Sequence, residues 1–76
     1  MGGKSVPHPC FLDDCISMGV RNGQKRWRSA DTSRLYTWDS LHGEIEVFSR
    51  RGKHLGVLNP GGNLIKGPVK GRTIDV

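Results

Sequence analysis

The run Tyr36-Thr37-Trp38-Asp39-Ser40-Leu41-His42-Gly43-Glu44-Ile45-Glu46-Val47-Phe48 alternates in character from His42 onward. Read as a strand that begins by His42, it turns Ile45 and Val47 to one face and His42, Glu44 and Glu46 to the other. The apolar pair then faces a core. The imidazole and two carboxylates stand in a row on the open face, neighbours roughly 6.5–7 Å apart. At that spacing His42 and Glu46 can flank a group the size of a phosphodiester, with Glu44 between them. Asp39 lies just upstream at a turn and can close over the same face. On a generic strand such a row is a solvated polar face. Here the neighbouring sequence adds cations: Arg50, Arg51, Lys53, Lys66, Lys70 and Arg72 fall near the ends of adjacent strands. An acid–base set within a cationic surface is what RNA cleavage without a metal requires. A base takes the 2′-hydroxyl proton, an acid protonates the departing 5′-oxygen, and a cation stabilises charge on phosphorus. Histidine suits the acid role because its unperturbed pKa of about 6.5 lies near working pH.

The elements that must hold these groups are short. Residues 1–8, with Met1-Gly2-Gly3 and Pro7, read as a flexible N-terminal arm, and residues 9–76 as one domain. From Pro9 to Met18 the apolar positions Phe11, Leu12, Cys15, Ile16 and Met18 trace one helical stripe. Pro9 suits a first helical position, Asp13 and Asp14 the N-terminal half, and Gly19 a stop. After Arg21-Asn22-Gly23 the pattern changes to strands at Lys25–Ser29, Arg34–Asp39, Gly43–Ser49, His54–Asn59 and Asn63–Lys66, with a sixth candidate at Arg72–Asp75. Loops of two to five residues force an antiparallel meander, since parallel crossovers need about a dozen residues. The expected fold is therefore α+β: a short N-terminal helix over about 9–18, packed on a twisted antiparallel sheet of five or six strands over about 25–75.

Charge and composition narrow the function. Among 76 residues, 12 Lys and Arg stand against 7 Asp and Glu, a net charge of +5. Residues 1–20 hold only Lys4, Asp13 and Asp14, so the remainder carries 11 basic and 5 acidic groups. A polyanion-binding surface belongs to that part of the chain. A chain this short has one thin core and no deep pocket for a large cofactor. No stretch approaches the roughly 18 apolar residues of a membrane span, which excludes membrane insertion. Cys10 and Cys15 make neither a disulfide framework nor a CxxC pair, and read as small apolar core residues.

The segment from Lys25 to Arg72 resembles the cytotoxic ribonuclease domain of the ribosome-cleaving colicins and cloacin. The resemblance rests on Lys25-Arg26-Trp27, Tyr36-x-Trp38-Asp39-Ser40-x-His42-Gly43-Glu44-x-Glu46, His54-Leu55-Gly56, Leu64-x-Lys66-Gly67-Pro68 and Arg72. It implies a toxin that cuts small-subunit (16S) ribosomal RNA at the decoding site, with Glu46 as general base and His42 as general acid. Asp39 then supports that pair, Arg72 is the phosphate-stabilising cation, and Glu44 is a further active-site carboxylate. It also implies ribosomal RNA and a neutralising immunity protein as partners, the latter acidic to match this surface. The first 24 residues show no match to the colicin segment that leads into the catalytic core. That points to a similar nuclease tip on a different carrier, such as the exoprotein of contact-dependent growth inhibition, exported by one cell and acting in the cytoplasm of another.

Other residues carry weaker expectations. Trp27, Tyr36, Trp38 and Phe48 read first as core or cross-strand partners and second as stacking platforms for bases. Trp38 is the one whose parity matches His42, which makes it the RNA-stacking candidate. Lys66, Lys70, Arg50, Arg51 and Lys53 are the candidates for gripping RNA phosphates. His54 matches the family pattern but serves structure as readily as chemistry. Asp39, His42, Glu44 and Glu46 could hold one divalent ion, yet no second histidine stands at close spacing, so no metal or cofactor is expected. The alternatives are a non-catalytic RNA-binding module and a ribonuclease without ribosome preference.

Overall fold

Arg21-Asn22-Gly23-Gln24 is where the chain first reverses, and it explains the architecture better than the apolar stripe before it. In the computed structural model, which describes residues 3–76, Asn22 has φ 52° and Gly23 φ 79°. Two successive residues at positive φ make the tight two-residue turn that joins antiparallel strands, and Asn-Gly adopts it with the least strain. A strand must therefore precede it. Strand β1 (Ile16–Arg21) pairs with β2 (Gln24–Arg28) through Arg21↔Gln24 and Val20↔Lys25. Gly19, at φ 78°, sits in an irregularity between Ser17 and Val20.

This corrects the expected helix over 9–18 and with it the α+β class. The described residues contain only a four-residue 3-10 turn, Phe11–Asp14, so the fold is nearly all-β. Asp13 accepts a hydrogen bond from the Cys10 N–H at 2.9 Å, and the Cys15 N–H closes on the Leu12 carbonyl at 3.0 Å. The turn is satisfied within itself and goes no further. Ten residues form a marginal helix in water, and β-branched Ile16 and Val20 gain more from pairing with β2.

The remaining strands are β3 (Arg34–Asp39), β4 (Glu44–Ser49), β5 (His54–Leu58) and β6 (Leu64–Lys66), giving one antiparallel sheet in the order β1-β2-β3-β4-β5-β6. The candidate strand at Arg72–Asp75 is reduced to a single bridge, Lys53↔Thr73. No helix among the described residues is long and apolar enough to cross a membrane.

Register assigns the two faces. Trp38 pairs with Ile45 and Tyr36 with Val47, and these four form the buried core together with Leu12 from the 3-10 turn. Phe11 meets Tyr36 edge-on at 5.2 Å between ring centres. Cys10 and Cys15 are free, half-buried and packed against this core; burial raises the Cys15 thiol, aided by the charge of Asp14. The N-terminal arm is tied down on the same side: the Lys4 N–H donates to the Ser40 carbonyl and the Trp38 indole N–H to the Lys4 carbonyl, both at 2.7 Å. Met1 and Gly2, the start of that arm, lie outside the described residues. The other face carries Asp39↔Glu44, Thr37↔Glu46 and Leu35↔Phe48, and it is crossed by the C-terminal residues from Gly67 on.

Candidate active site

Chemistry collects on the second face, where β3 and β4 meet at a turn. The chain leaves β3 at Asp39 and re-enters the sheet at Glu44. The Gly43 N–H closes this turn on the Asp39 carbonyl at 2.8 Å with φ 67°, and a Cβ there would lie 2.7 Å from the Lys4 side chain. The positive φ is what favours glycine there, since the Lys4 side chain is exposed and can give way. Asp39 folds its carboxylate back over the turn: Oδ1 accepts the N–H groups of Leu41 (3.0 Å) and His42 (3.2 Å), and Oδ2 contacts His42 Nδ1 at 2.8 Å. Burial raises the Asp39 carboxyl, but the hydrogen bonds from the His42 ring and backbone outweigh it and hold the group below its ordinary value.

His42 is thus not the first residue of a strand row. It stands in the turn, with its side chain 57% exposed, and reaches the site through Asp39. With Nδ1–H committed to a carboxylate, Nε2 is the nitrogen that faces outward.

Glu46 occupies the next row of the same face and is 8% exposed. Its Oε1 accepts from Arg72 Nη1 at 2.8 Å and from His54 Nε2 at 2.9 Å. Neither contact uses Oε2. His54 is 1% exposed, and its Nδ1 accepts the Val69 N–H at 2.9 Å, which fixes the ring proton on Nε2. His54 is therefore a locked donor to Glu46. Arg72 arrives on the C-terminal segment, which β5 holds through the His54 N–H on the Arg72 carbonyl at 3.1 Å. Asp39, Glu46, Arg72, Thr37, Phe48 and Ile74 line a shallow cleft of about 340 Å³.

The expected residues divide accordingly. Asp39, Glu46 and Arg72 share the cleft, and His42 is joined to it through Asp39 without lining it. Glu44 pairs across the strands with Asp39, and its Oε1 takes Lys66 Nζ at 3.3 Å, so Lys66 is tied to the site by a carboxylate. Lys53 and Lys70 line an adjoining hollow with His54 and Arg72. Arg50 and Arg51 are exposed in the β4–β5 turn, at the opposite end of β4 from His42. Trp38 does not join the site: it is 7% exposed and packed in the core on the opposite face, where it pairs with Ile45. Its parity was referred to a continuous strand through His42, and the turn at 40–43 breaks that continuity. The donor atoms of Asp39, His42 and Glu44 lie within 4.8 Å of one another, as do those of His8, Cys10 and Asp13. The structure adds His54 to the site as the donor behind Glu46. Its place on an otherwise apolar strand before Leu55-Gly56 was the available signal.

A small antiparallel sheet thus carries an imidazole–carboxylate pair and a carboxylate–guanidinium pair on one side. The chain belongs to the family described as Cytotoxic, whose model matches residues 16–75. It is similar to colicin E3 of Escherichia coli, with 43% identity over 53 residues, covering 67% of this chain and 10% of that protein. Colicin-E6 of Escherichia coli is 43% identical over 51 residues, and cloacin of Escherichia coli 41% over 51 residues; each covers 64% of this chain and 9% of the relative. The chain spans about a tenth of the length of these relatives.

Proposed function

We propose that this domain is an endoribonuclease toxin that cuts 16S ribosomal RNA at the decoding site by general acid–base transesterification. The reading rests on family membership and on one geometric observation. On adjacent rows of one sheet face stand a carboxylate already in contact with a guanidinium and a second carboxylate that holds the ring of a histidine in the turn beyond it. Glu46 takes the proton of the 2′-hydroxyl, and the 2′-oxygen attacks phosphorus. The bond to the 5′-oxygen breaks as the His42 imidazolium, its Nδ1–H held by Asp39, delivers its Nε2 proton to that oxygen, leaving a 2′,3′-cyclic phosphate and a 5′-hydroxyl. Arg72 transfers its donors from Glu46 to the phosphoryl oxygens as charge develops there. Asp39 fixes the His42 ring so that Nε2 points outward. Lys53, Lys66 and Lys70 hold flanking phosphates. An acidic immunity protein fits the +5 charge of the chain, and delivery as the tip of a larger exported protein fits a chain that spans a tenth of its relatives.

The test is a gel of RNA from intact ribosomes incubated with the wild-type domain and with H42A. The expected result is one cut in small-subunit RNA with wild type and none with H42A, while H42A still binds RNA and melts normally. Full-length RNA with wild type refutes the enzyme. Naked RNA degraded as fast as ribosomes refutes the ribosomal preference.

A further inference from the structure

Arg26 is 3% exposed, a charged group inside a domain with little interior. It lies on the site face, because β2 pairs it with Thr37 and β3 pairs Thr37 with Glu46. A buried guanidinium is costly unless its donors are met, and apolar residues would fill the space more cheaply. Its partner is one residue near the C-terminus. Nη1 donates to the Asp75 carbonyl at 2.8 Å and Nη2 to Asp75 Oδ1 at 3.2 Å. Asn22, from the β1–β2 turn, donates its Nδ2 to the same Oδ1 at 2.8 Å. Arg26 Nε is buried with no partner among the described residues, so the donors that are met are those that reach Asp75.

The segment held in this way delivers Arg72. From Gly67 on it forms no strand, and it crosses the face from β5 to β2 on a few ties: Val69 to His54, Arg72 to His54, Thr73 bridging Lys53, and the Ile74 N–H on the Gly52 carbonyl at 2.9 Å. All of these lie on the β4–β5 side. Among the described residues, Asp75 alone fastens the strap to β2 and the β1–β2 turn. We infer that Arg26, Asn22 and Asp75 form a latch that sets where Arg72 meets Glu46, and so act as positioning residues for the cationic group of the reaction. The inference rests on the proposed RNA cleavage.

Asp75 is 60% exposed, so D75A removes both carboxylate ties, from Arg26 Nη2 and Asn22 Nδ2, without opening the core, and leaves Arg26 Nη1 on the carbonyl of residue 75 as the one remaining tie to β2 among the described residues. N22G removes the amide contact while glycine keeps the turn. Both variants, with wild type, are assayed by single-turnover cutting of ribosomes and by the NMR signals of the Arg72 Nε–H and the Trp38 indole N–H. A displacement on the order of 1 Å can cost about 100-fold, so D75A is expected to lose between about tenfold and about 100-fold in rate, N22G less, with KM within about twofold. The Arg72 signal shifts and the Trp38 signal, on the far face, does not. D75A cutting at the wild-type rate overturns a positioning role for the Asp75 carboxylate and its two ties, as does a loss accompanied by movement of the Trp38 signal, which marks a general loosening. Absence of cutting by wild type refutes the enzyme reading instead.

Discussion

Replacing His54 with Phe tests whether the proton on its Nε2 is part of the site's framework. Phenylalanine keeps the ring and its edge-on contact with Phe48, now 5.2 Å between centres. It removes both polar contacts, the Val69 N–H to Nδ1 and Nε2 to Glu46 Oε1, each 2.9 Å. The orphaned Val69 N–H costs about 1 kcal/mol, the low end of the usual range because Val69 is 44% exposed. Losing a donor to a carboxylate costs about 1.5–3 kcal/mol, reduced here because Arg72 still contacts Oε1. H54F should therefore lose about 2–4 kcal/mol, and H54A about 1–2 kcal/mol more from the cavity. A domain of 76 residues has roughly 4–11 kcal/mol in all, so H54A should lose a large share of it and melt well below H54F.

Urea denaturation followed by tryptophan fluorescence measures both variants, since Trp38 is buried in the core and Trp27 packs against it. The reasoning fails if H54F lies within about 0.5 kcal/mol of wild type, the scatter of ordinary surface changes. Should H54F and H54A be equally destabilised, the ring's volume contributes nothing and the cavity argument is wrong.

D39N keeps an acceptor for the two turn N–H groups but offers the His42 ring no second carboxylate oxygen. Its RNA cutting should fall between about tenfold and about 10⁴-fold with an unchanged melting temperature, the range seen when an orienting carboxylate is lost. G23A places a side chain at φ 79° in the β1–β2 turn and should cost about 1–2 kcal/mol by urea titration. Hydrogen bonds from Ser29 and Ser33 hold the Asp31 carboxyl at about 2, below its ordinary 3.8. A depressed folded-state value contributes stability above the ordinary value, and that contribution is lost as pH falls through the folded one. Wild type should therefore lose melting temperature more steeply than D31N as pH falls from about 4 to about 2, and identical slopes would refute the assignment.

How far the sequence disclosed this molecule depends on what each signal was competing with. Strands β3 to β6 were legible within a residue or two, because alternation and Gly- or Asp-bearing turns agree there. Strand β1 was hidden because Phe11, Leu12 and Cys15 pack against the core while Ile16 and Met18, 41% and 39% exposed, lie on an edge strand. The two sets read together imitate a helical stripe. Asn22-Gly23 was the better guide, since a two-residue turn at positive φ demands a strand on each side. In the site, Glu44 and Glu46 share a face as period-2 alternation expects, while Asp39, expected to close over that face from a turn, lies on it as the last residue of β3. His42 does not join their row, because that counting ran through the turn that ends at Gly43. Trp38 was lost to the same miscount. Arg26 and Asp75 are 49 residues apart, and only tertiary contact reveals such a pair.

The three-ligand cluster of Asp39, His42 and Glu44 bears on whether the reaction needs a divalent cation, and donor chemistry argues against one. Asp39 Oδ1 is shared by two backbone N–H groups and Oδ2 is taken by His42 Nδ1, while Glu44 Oε1 holds Lys66. A cation drawing on all three would compete with the Lys66 ammonium for the Glu44 carboxylate and with His42 Nδ1 for that of Asp39. That would free the ring from the contact that aims Nε2. It would also leave Glu46 and Arg72 outside the coordination sphere, although their pairing lies in the same cleft. Cutting of ribosomal RNA by the wild-type domain should therefore persist in excess EDTA, with the ribosome's own magnesium replaced by a polyamine to keep it folded. Loss of cutting there, restored by one specific divalent ion and abolished again by E44Q, would assign the cluster to metal and overturn the acid–base scheme.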